Sequence, residues 1–516
     1  MPDTKNVLIK YGMCLSLCEM AINSQFIAAW RIWLKAKSLN NNIRIDHKSG
    51  GEAYVLTATL GPPSISLTGG REGHADLKVK LPIASGAIVT TPGGQKLKLD
   101  GASLTFPVDL KKQRASIEQL AKVDPDIAER AEEMITAARR NDGITYDKIS
   151  IEALLLDLSN PAAIERGMDI RNAKDEPFPA DQARIISECF GQLLREGAKR
   201  DCILGTLVHV KPQAQRRSTL TPTRFTHDIF THPTDNRVSS LNYLGTFADP
   251  SLPSEEEGRA GIFGPWVDEG KIVSGGMTAG IMAIRGEDFS GVIINALRDA
   301  LNPQQFFRGQ HSANFFTHRH DLRIYEGGVL EYDSEVRQDV IWQMDLERQP
   351  DNAGYDIDLR VEVFVALALR HSLLSDFRGL WSSKARSRLT LTFEEKNDDE
   401  LGFSLLPRLF PPRPQFDREK VRFEEIEHSW TRDVDRAIGK VLGQNAPEEM
   451  CERETEQMTD HISRVLADAF SALEMRLAHF EFIPPGDQDF LFTTPRFSPR
   501  GDLLLDVKYR SPVIIA

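Results

Sequence analysis

Between Met13 and Leu39 the chain holds no proline, and Leu17, Met20, Phe26, Trp30 and Trp33 recur at spacings of three, four and six. That spacing keeps apolar side chains on one broad helical face and predicts a long helix. Asn40-Asn41-Asn42 closes it, since Asn tolerates left-handed backbone. The period then changes to two. Leu77, Val79, Leu81 and Ile83 alternate with Asp76, Lys78 and Lys80; Leu97 and Leu99 alternate with Lys96, Lys98 and Asp100; Leu104, Phe106, Val108 and Leu110 alternate with polar neighbours. Each run predicts a strand with one wet and one dry face. Short turns at Gly69-Gly70, Pro92-Gly93-Gly94 and Asp100-Gly101 favour an antiparallel meander over βαβ units. Ser116 to Arg140 is helical with a break near Asp124-Pro125, Asp181 to Gly197 is a second amphipathic helix, and Ile203 to Val210 is a strand. The run Ile149 to Leu158 fits a strand or a short helix.

The second half repeats this order. A helix is predicted at Phe289 to Leu301, then alternating strands around Val340–Leu346, Ile357–Val365 and Leu389–Phe393. Four prolines interrupt Pro407 to Pro414. Helices follow at Arg418 to Leu442 and Glu448 to Phe480, and a last strand spans Leu503 to Tyr509. Two similar domains result, 1–235 and 236–516, in the α+β class. An antiparallel sheet with one apolar face must cover it. A long amphipathic helix laid across a strongly curved sheet does so, and leaves an apolar groove wherever the two do not meet tightly. Leu17, Met20, Phe26, Trp30 and Trp33 from the helix and Leu77, Val79 and Leu81 from the sheet are the candidates to line it. The plainer reading makes the same residues ordinary core.

The 516 residues are 41% apolar and 27% charged, which excludes wholesale disorder. Lys and Arg number 63 against 75 Asp and Glu, a net charge of −12. Such a balance speaks against a nucleic-acid partner, which requires surplus cation. Within residues 1–110, however, twelve Lys and Arg face eight Asp and Glu. Lys78, Lys80, Lys96 and Lys98 occupy polar strand positions there and are the candidates for contact with anionic headgroups, each near-surface cation contributing about 1 kcal/mol. The alternative is a plain solvated face. Five cysteines make no disulfide framework. Asp3 sits where a signal peptide needs positive charge, and Lys10, Glu19 and Arg31 interrupt the apolar stretch from Val7 to Leu34. A cytoplasmic protein as synthesised is expected, with any release independent of a signal peptide.

Catalytic chemistry finds no footing in the motifs. Gly264 to Lys271 has one residue too many for a phosphate loop and Ile272 where Ser or Thr is needed. His318, His320 and Asp321 offer at most two imidazoles on one strand face without a third ligand. Asp356, Asp358 and Glu362 alternate as a solvated strand face does. The expectation is a protein that is not an enzyme, with no catalytic residue, metal or cofactor.

Several short stretches resemble a known family. They are Ile22-Asn23-Ser24-Gln25 in the first helix, Pro63 to Gly73 with its glycine turn, Leu81 to Gly86, Ile151 to Asn160, and the mid-chain segment Ile281 to Leu301. Together with the order of elements they resemble the tubular lipid-binding (TULIP) superfamily. Within it they are similar to the OrfX and forty-seven-kilodalton accessory proteins of clostridial neurotoxin gene clusters. Arg71 and Glu72 in the glycine turn and the Pro-rich stretch before Phe416 depart from that pattern. The resemblance implies two tandem TULIP-like domains in an elongated body. It implies binding of a lipid or membrane surface, either phosphoinositide headgroups or acyl chains, and protein partners from the same gene cluster. The alternative it carries is an assembly component of a toxin complex, or an insecticidal toxin, with no lipid ligand.

Overall fold

The computed structural model describes residues 8, 11–24, 27, 42–68, 77–91, 93–123, 125–142, 149–157, 167–197, 202–210, 224–247, 278–300, 315–324, 332–349, 354–371, 374–398, 402–427, 447–472, 475–476, 481–483, 490–498 and 501–509. They form two compact units. Unit one comprises Met1–Asp288, Asn397–Ser404 and Arg476–Ala516, and unit two comprises Phe289–Lys396 and Leu405–Met475. Every described strand pairing in both is antiparallel.

Unit one opens with β1 (Met13–Cys18), followed by helical residues at 19–24. Next come β2 (Asn42–Ser49), β3 (Glu52–Leu60), β4 (Ser64–Leu67), β5 (Leu77–Thr91), β6 (Lys96–Lys98) and β7 (Ser103–Ala115). Helices α1 (Ile117–Val123) and α2 (Pro125–Asp142) lead to β8 (Ile149–Asp157) and β9 (Asp169–Arg171). Helix α3 (Ala180–Gly197) leads to β10 (Cys202–Val210), β11 (Arg224–Phe230), β12 (Ser240–Thr246) and β13 (Thr278–Ile284). Helix α4 (Gly286–Ala300) carries the chain into unit two, which holds β14 (Phe315–Ile324), β15 (Tyr332–Gln349), β16 (Gly354–His371), β17 (Leu374–Asp398), β18 (Gly402–Phe410), β19 (Asp417–Arg418), β20 (Arg422–Glu427), α5 (Pro447–Ala472) and β21 (Met475–Arg476). The end of the chain returns to unit one as β22 (Glu481–Ile483), β23 (Phe490–Phe497) and β24 (Leu503–Tyr509).

The expected helix from Met13 to Leu39 is corrected at its start. Residues 13–18 form β1, hydrogen-bonded on both edges, to β12 and β13, in a six-stranded sheet of order β11-β12-β1-β13-β24-β23. All six β1 residues are buried. A strand covered on both faces reads as a continuous apolar run, and periodicity cannot tell such a run from a buried helix. Phe26, Trp30 and Trp33 lie outside the described residues. The close approach of β13 to β1 requires glycine at position 280, where a Cβ would fall on the carbonyl oxygen of Ser16.

A ten-stranded sheet runs β2-β3-β5-β7-β8-β10-β22, with β4 and β6 paired to β5 and β9 to β7. The Asp124-Pro125 break separates α1 from α2, with proline at the first helical position of α2. Ser116 caps α1 through a reciprocal pair with Gln119: Ser116 Oγ accepts from the Gln119 N–H at 3.2 Å, and Gln119 Oε1 accepts from the Ser116 N–H at 2.8 Å. Helix α3 buries Ile186, Cys189 and Phe190 in one cluster with Leu56, Ile83, Ile88, Leu99 and Leu104 of the sheet. Its polar side ties to β2 through Glu188, which stands 2.7 Å from Arg184 and 3.3 Å from His47. Burial alone would raise the Glu188 carboxyl, but hydrogen bonds from Ser49, Arg184 and His47 hold it below its ordinary value.

In unit two, the sheet runs β14-β15-β16-β17-β18-β21, with β19 and β20 paired to β17. One face buries Tyr355, Ile357, Leu359, Val361 and Val363 of β16 beside Ala385, Leu389 and Leu391 of β17. Helix α5 packs on β16 with Cys451, Met458, Ile462, Leu466 and Phe470 buried, and Cys451 Sγ lies 3.5 Å from the carbonyl oxygen of Val363. The other face is the expected wet one: Asp358 accepts from Arg360 and Arg386, and Lys384 pairs with Glu362 at 2.7 Å. The Arg386 hydrogen bond, with Arg360 beside it, keeps the Asp358 carboxyl below its usual range.

The sequence predicts helix from Arg418 to Leu442; residues 417–418 and 422–427 instead pair with β17, and residues 428–442 lie outside the described ones. Phe423 sits opposite Trp381 with ring centroids 4.8 Å apart, so cross-strand pairing overrides helical propensity there. The helix expected to reach Phe480 ends at Ala472, short of the strand residues at 475–476.

Candidate functional site

The wet face of β5 is the best candidate. Along Leu77–Thr91 the core side is first odd-numbered, with Leu77, Val79 and Ile83 buried, and then even-numbered, with Ile88 buried. The switch falls at a β-bulge: Leu60 of β3 pairs with Ile83 while Thr59 pairs with Ser85, so Ala84 is the extra residue. Pro82 sits just before it, and Gly86 just after, where an added Cβ would come within 2.9 Å of both the Thr57 carbonyl oxygen and the Ala58 side chain.

The bulge decides where the lysines go. Lys78 and Lys80 alternate with buried Leu77 and Val79 and so face outward. Beyond the bulge the register puts Ala87, itself buried, and Val89 on the side of Thr57 and Val55, and these two pair directly with Lys98 and Lys96 of β6. Directly opposed residues of an antiparallel pair point to the same side. All four lysines therefore stand on one face of one continuous strand and its partner, the two pairs roughly 30 Å apart, centre to centre, along β5. All four are exposed, and among the described residues none enters an ion pair or a side-chain hydrogen bond. Ser66 and Pro107 flank Lys78, while Ser64 and Thr105 flank Lys80, so no carboxylate is cross-strand from either. Arg44 and Lys48 of β2 share that face through the β2–β3–β5 register, and Asp46 neighbours Arg44 at 3.6 Å. The face is rich in lysine but not free of acid: besides Asp46 it carries Asp169, opposite Thr105, and exposed Asp109, two residues along β7 from Pro107.

The expected groove residues divide between elements. Leu77, Val79 and Leu81 lie on the apolar side of β5; Leu77 and Val79 are buried, and Leu81 packs against the α3 cluster. Leu17 stands on β1 in the six-stranded sheet, and Met20 on the helical turn after it. Sequence reasoning found the lysines by alternation but not the bulge that aligns them, although Pro82 and Gly86 flag it. No three His, Cys, Asp or Glu side chains cluster as a metal site among the described residues. His318 and His320 lie on β14, in register with Val340 and Gln338. No described helix is long and apolar enough to cross a membrane.

No known protein family matches the chain, and no curated protein does. Among solved structures it is similar to P47 from Clostridium botulinum A2, at 12% identity and a TM-score of 0.48, over 98% of this chain and 99% of that one. It is also similar to P47 of Clostridium botulinum E1, at 9% identity and a TM-score of 0.47, over 96% of this chain and 98% of that one. These are the forty-seven-kilodalton proteins of the kind that the sequence stretches resemble. At such identities and scores the likeness speaks to neither ligand nor partner.

Proposed function

We propose that this chain is a non-enzymatic accessory protein that binds anionic lipid surfaces through the lysine face of β5 and β6. One observation carries the reading: the bulge at Ala84 leaves Lys78, Lys80, Lys96 and Lys98 exposed on a single face, with no ion-pair partner among the described residues. At about 1 kcal/mol per near-surface cation, four such lysines contribute about 4 kcal/mol. Headgroup contact is favoured over an acyl groove lined by Leu77, Val79 and Leu81, because those side chains already pack inward. The setting is the one that the sequence resemblance points to, a toxin-type gene cluster whose products are its protein partners. Co-sedimentation with vesicles tests the reading. Binding to vesicles containing phosphatidylserine, absent with phosphatidylcholine alone and lost at about 0.5 M salt, is expected, because screening shortens the reach of these charges to a few ångströms.

A second reading, an assembly component with no lipid ligand, rests on the cluster beneath α3, where Ile186, Cys189 and Phe190 pack on buried side chains of the sheet. Failure to bind acidic vesicles at low salt would favour it.

A further inference from the structure

The residues after β1 make an unusual junction. Strand β4 pairs with β5 on one edge; its other edge is met by side chains of the helical turn at 19–24 and the segment that follows β11. The Asn23 carboxamide makes both hydrogen bonds that a neighbouring strand would make to Ile65: Nδ2 donates to the carbonyl oxygen at 2.8 Å, and Oδ1 accepts from the N–H at 2.7 Å. One turn earlier, Glu19 Oε2 accepts from the N–H of Leu67 at 2.8 Å, and Thr231 Oγ1 lies 3.5 Å from the Leu67 carbonyl oxygen. The Glu19 N–H donates to the Ser239 carbonyl oxygen at 2.7 Å. A helical turn anchored to the six-stranded sheet thus clasps the edge of the ten-stranded one through side chains at i and i+4, which share a helical face.

One of the two clasping groups is ionisable, and its surroundings do not compensate its charge. Glu19 is 9% exposed. The 19–24 turn carries no other charged side chain. From β4 it meets the Ser66 hydroxyl and the Leu67 N–H, both neutral. From the segment after β11 it faces Asp235, which is already engaged with Arg237 at 2.7 Å and whose N–H donates to His232 Nδ1 at 3.0 Å. On β1 the neighbouring Cys18 is buried, and on β5 Lys78, opposite Ser66, makes no ion pair among the described residues. Among the described residues no cation reaches the carboxyl to balance it.

We propose that the Glu19–Leu67 contact is a proton-operated latch, closed while the Glu19 carboxyl is protonated and loosened when it ionises. Burial, with a smaller push from Asp235, raises the carboxyl from its ordinary value to about 7, against the hydrogen bonds from Leu67 and Ser66. A group held above its unfolded value stabilises the closed form most at pH below that value. The stabilisation is lost as the pH rises from about 4.5 to about 7.

Hydrogen exchange at the Leu67 amide reads the latch directly. In the full-length protein, the protection of Leu67, corrected for intrinsic exchange, should fall about ten-fold or more between about pH 5 and about pH 8. Amides that pair β3 with β5 should hold their protection. In Glu19→Gln, which keeps a neutral acceptor at every pH, Leu67 should show no such fall. Unchanged Leu67 protection in the native protein, or an equal fall in Glu19→Gln, overturns the proposal. Should the Gln variant not fold, comparison of Leu67 with the β3–β5 amides in the native protein decides alone.

Discussion

Two glycines offer the same substitution with opposite expected signs. At Gly280 in β13, an added methyl group would meet the Ser16 carbonyl oxygen first, with the Ser16 carbonyl carbon at 2.9 Å and the Leu17 Cα at 3.1 Å behind it. All are backbone atoms of β1, so no side chain can swing aside; β13 must separate from β1 at the centre of the six-stranded sheet. Overpacking costs roughly 1–3 kcal/mol where side chains can yield, and here the cost belongs at or above about 3 kcal/mol. At Gly291 in α4, nothing lies within 4 Å of an added Cβ. There alanine removes only backbone freedom from the unfolded chain and should stabilise by about 0.5–1 kcal/mol. Urea unfolding of full-length Gly280→Ala and Gly291→Ala, with the transitions of the two units fitted separately, measures both. If Gly280→Ala stays within about 1 kcal/mol of the native protein, the packing of β13 against β1 is not as described and the argument fails.

Asn23→Ala should destabilise unit one by about 1–2 kcal/mol in the same assay, because Ile65 loses a donor and an acceptor together; Asn23→Asp keeps the acceptor and should recover part of the loss. Cys14, Cys18, Cys189 and Cys451 are buried and free. Burial pushes the thiols up, to about 11 for Cys18 and about 12 for Cys189 and Cys451, with Glu452 adding to the last. At about pH 8 all four should resist an aromatic disulfide reagent in the native protein and react once urea unfolds it, as mass spectrometry of the labelled peptides would show.

Alternation proved the readable signal. Strands β5, β7 and β16 follow from period-two runs because each keeps one buried side, and α3 follows from Ile185, Cys189 and Leu193. What the sequence hid were features set by partners distant in the chain. Strand β1 has polar Ser16 as its only break, and its strand character comes from β12 and β13, more than two hundred residues away. Strand β20 carries Glu424, Glu425 and Glu427 in a run that favours helix until Phe423 finds Trp381. The lysine face needed both kinds of information. Its residues were visible as the wet positions of two strands, but that they share a side depends on one extra residue at Ala84 and on the β5–β6 register. The Glu19 clasp was not visible at all, since a carboxylate on an expected helix gives no hint that it will meet the edge of a strand.

On the proposed function, those four lysines hold the chain to an anionic membrane. The direct measurement is the partition coefficient of the native protein and of Lys78→Gln/Lys80→Gln/Lys96→Gln/Lys98→Gln onto phosphatidylserine-containing vesicles at low salt. The quadruple variant exchanges only exposed side chains and should unfold at the same urea concentration as the native chain. A fall of about a thousand-fold, the equivalent of about 4 kcal/mol, is the expected result. Equal partitioning of the two proteins, or no binding by either, would contradict it.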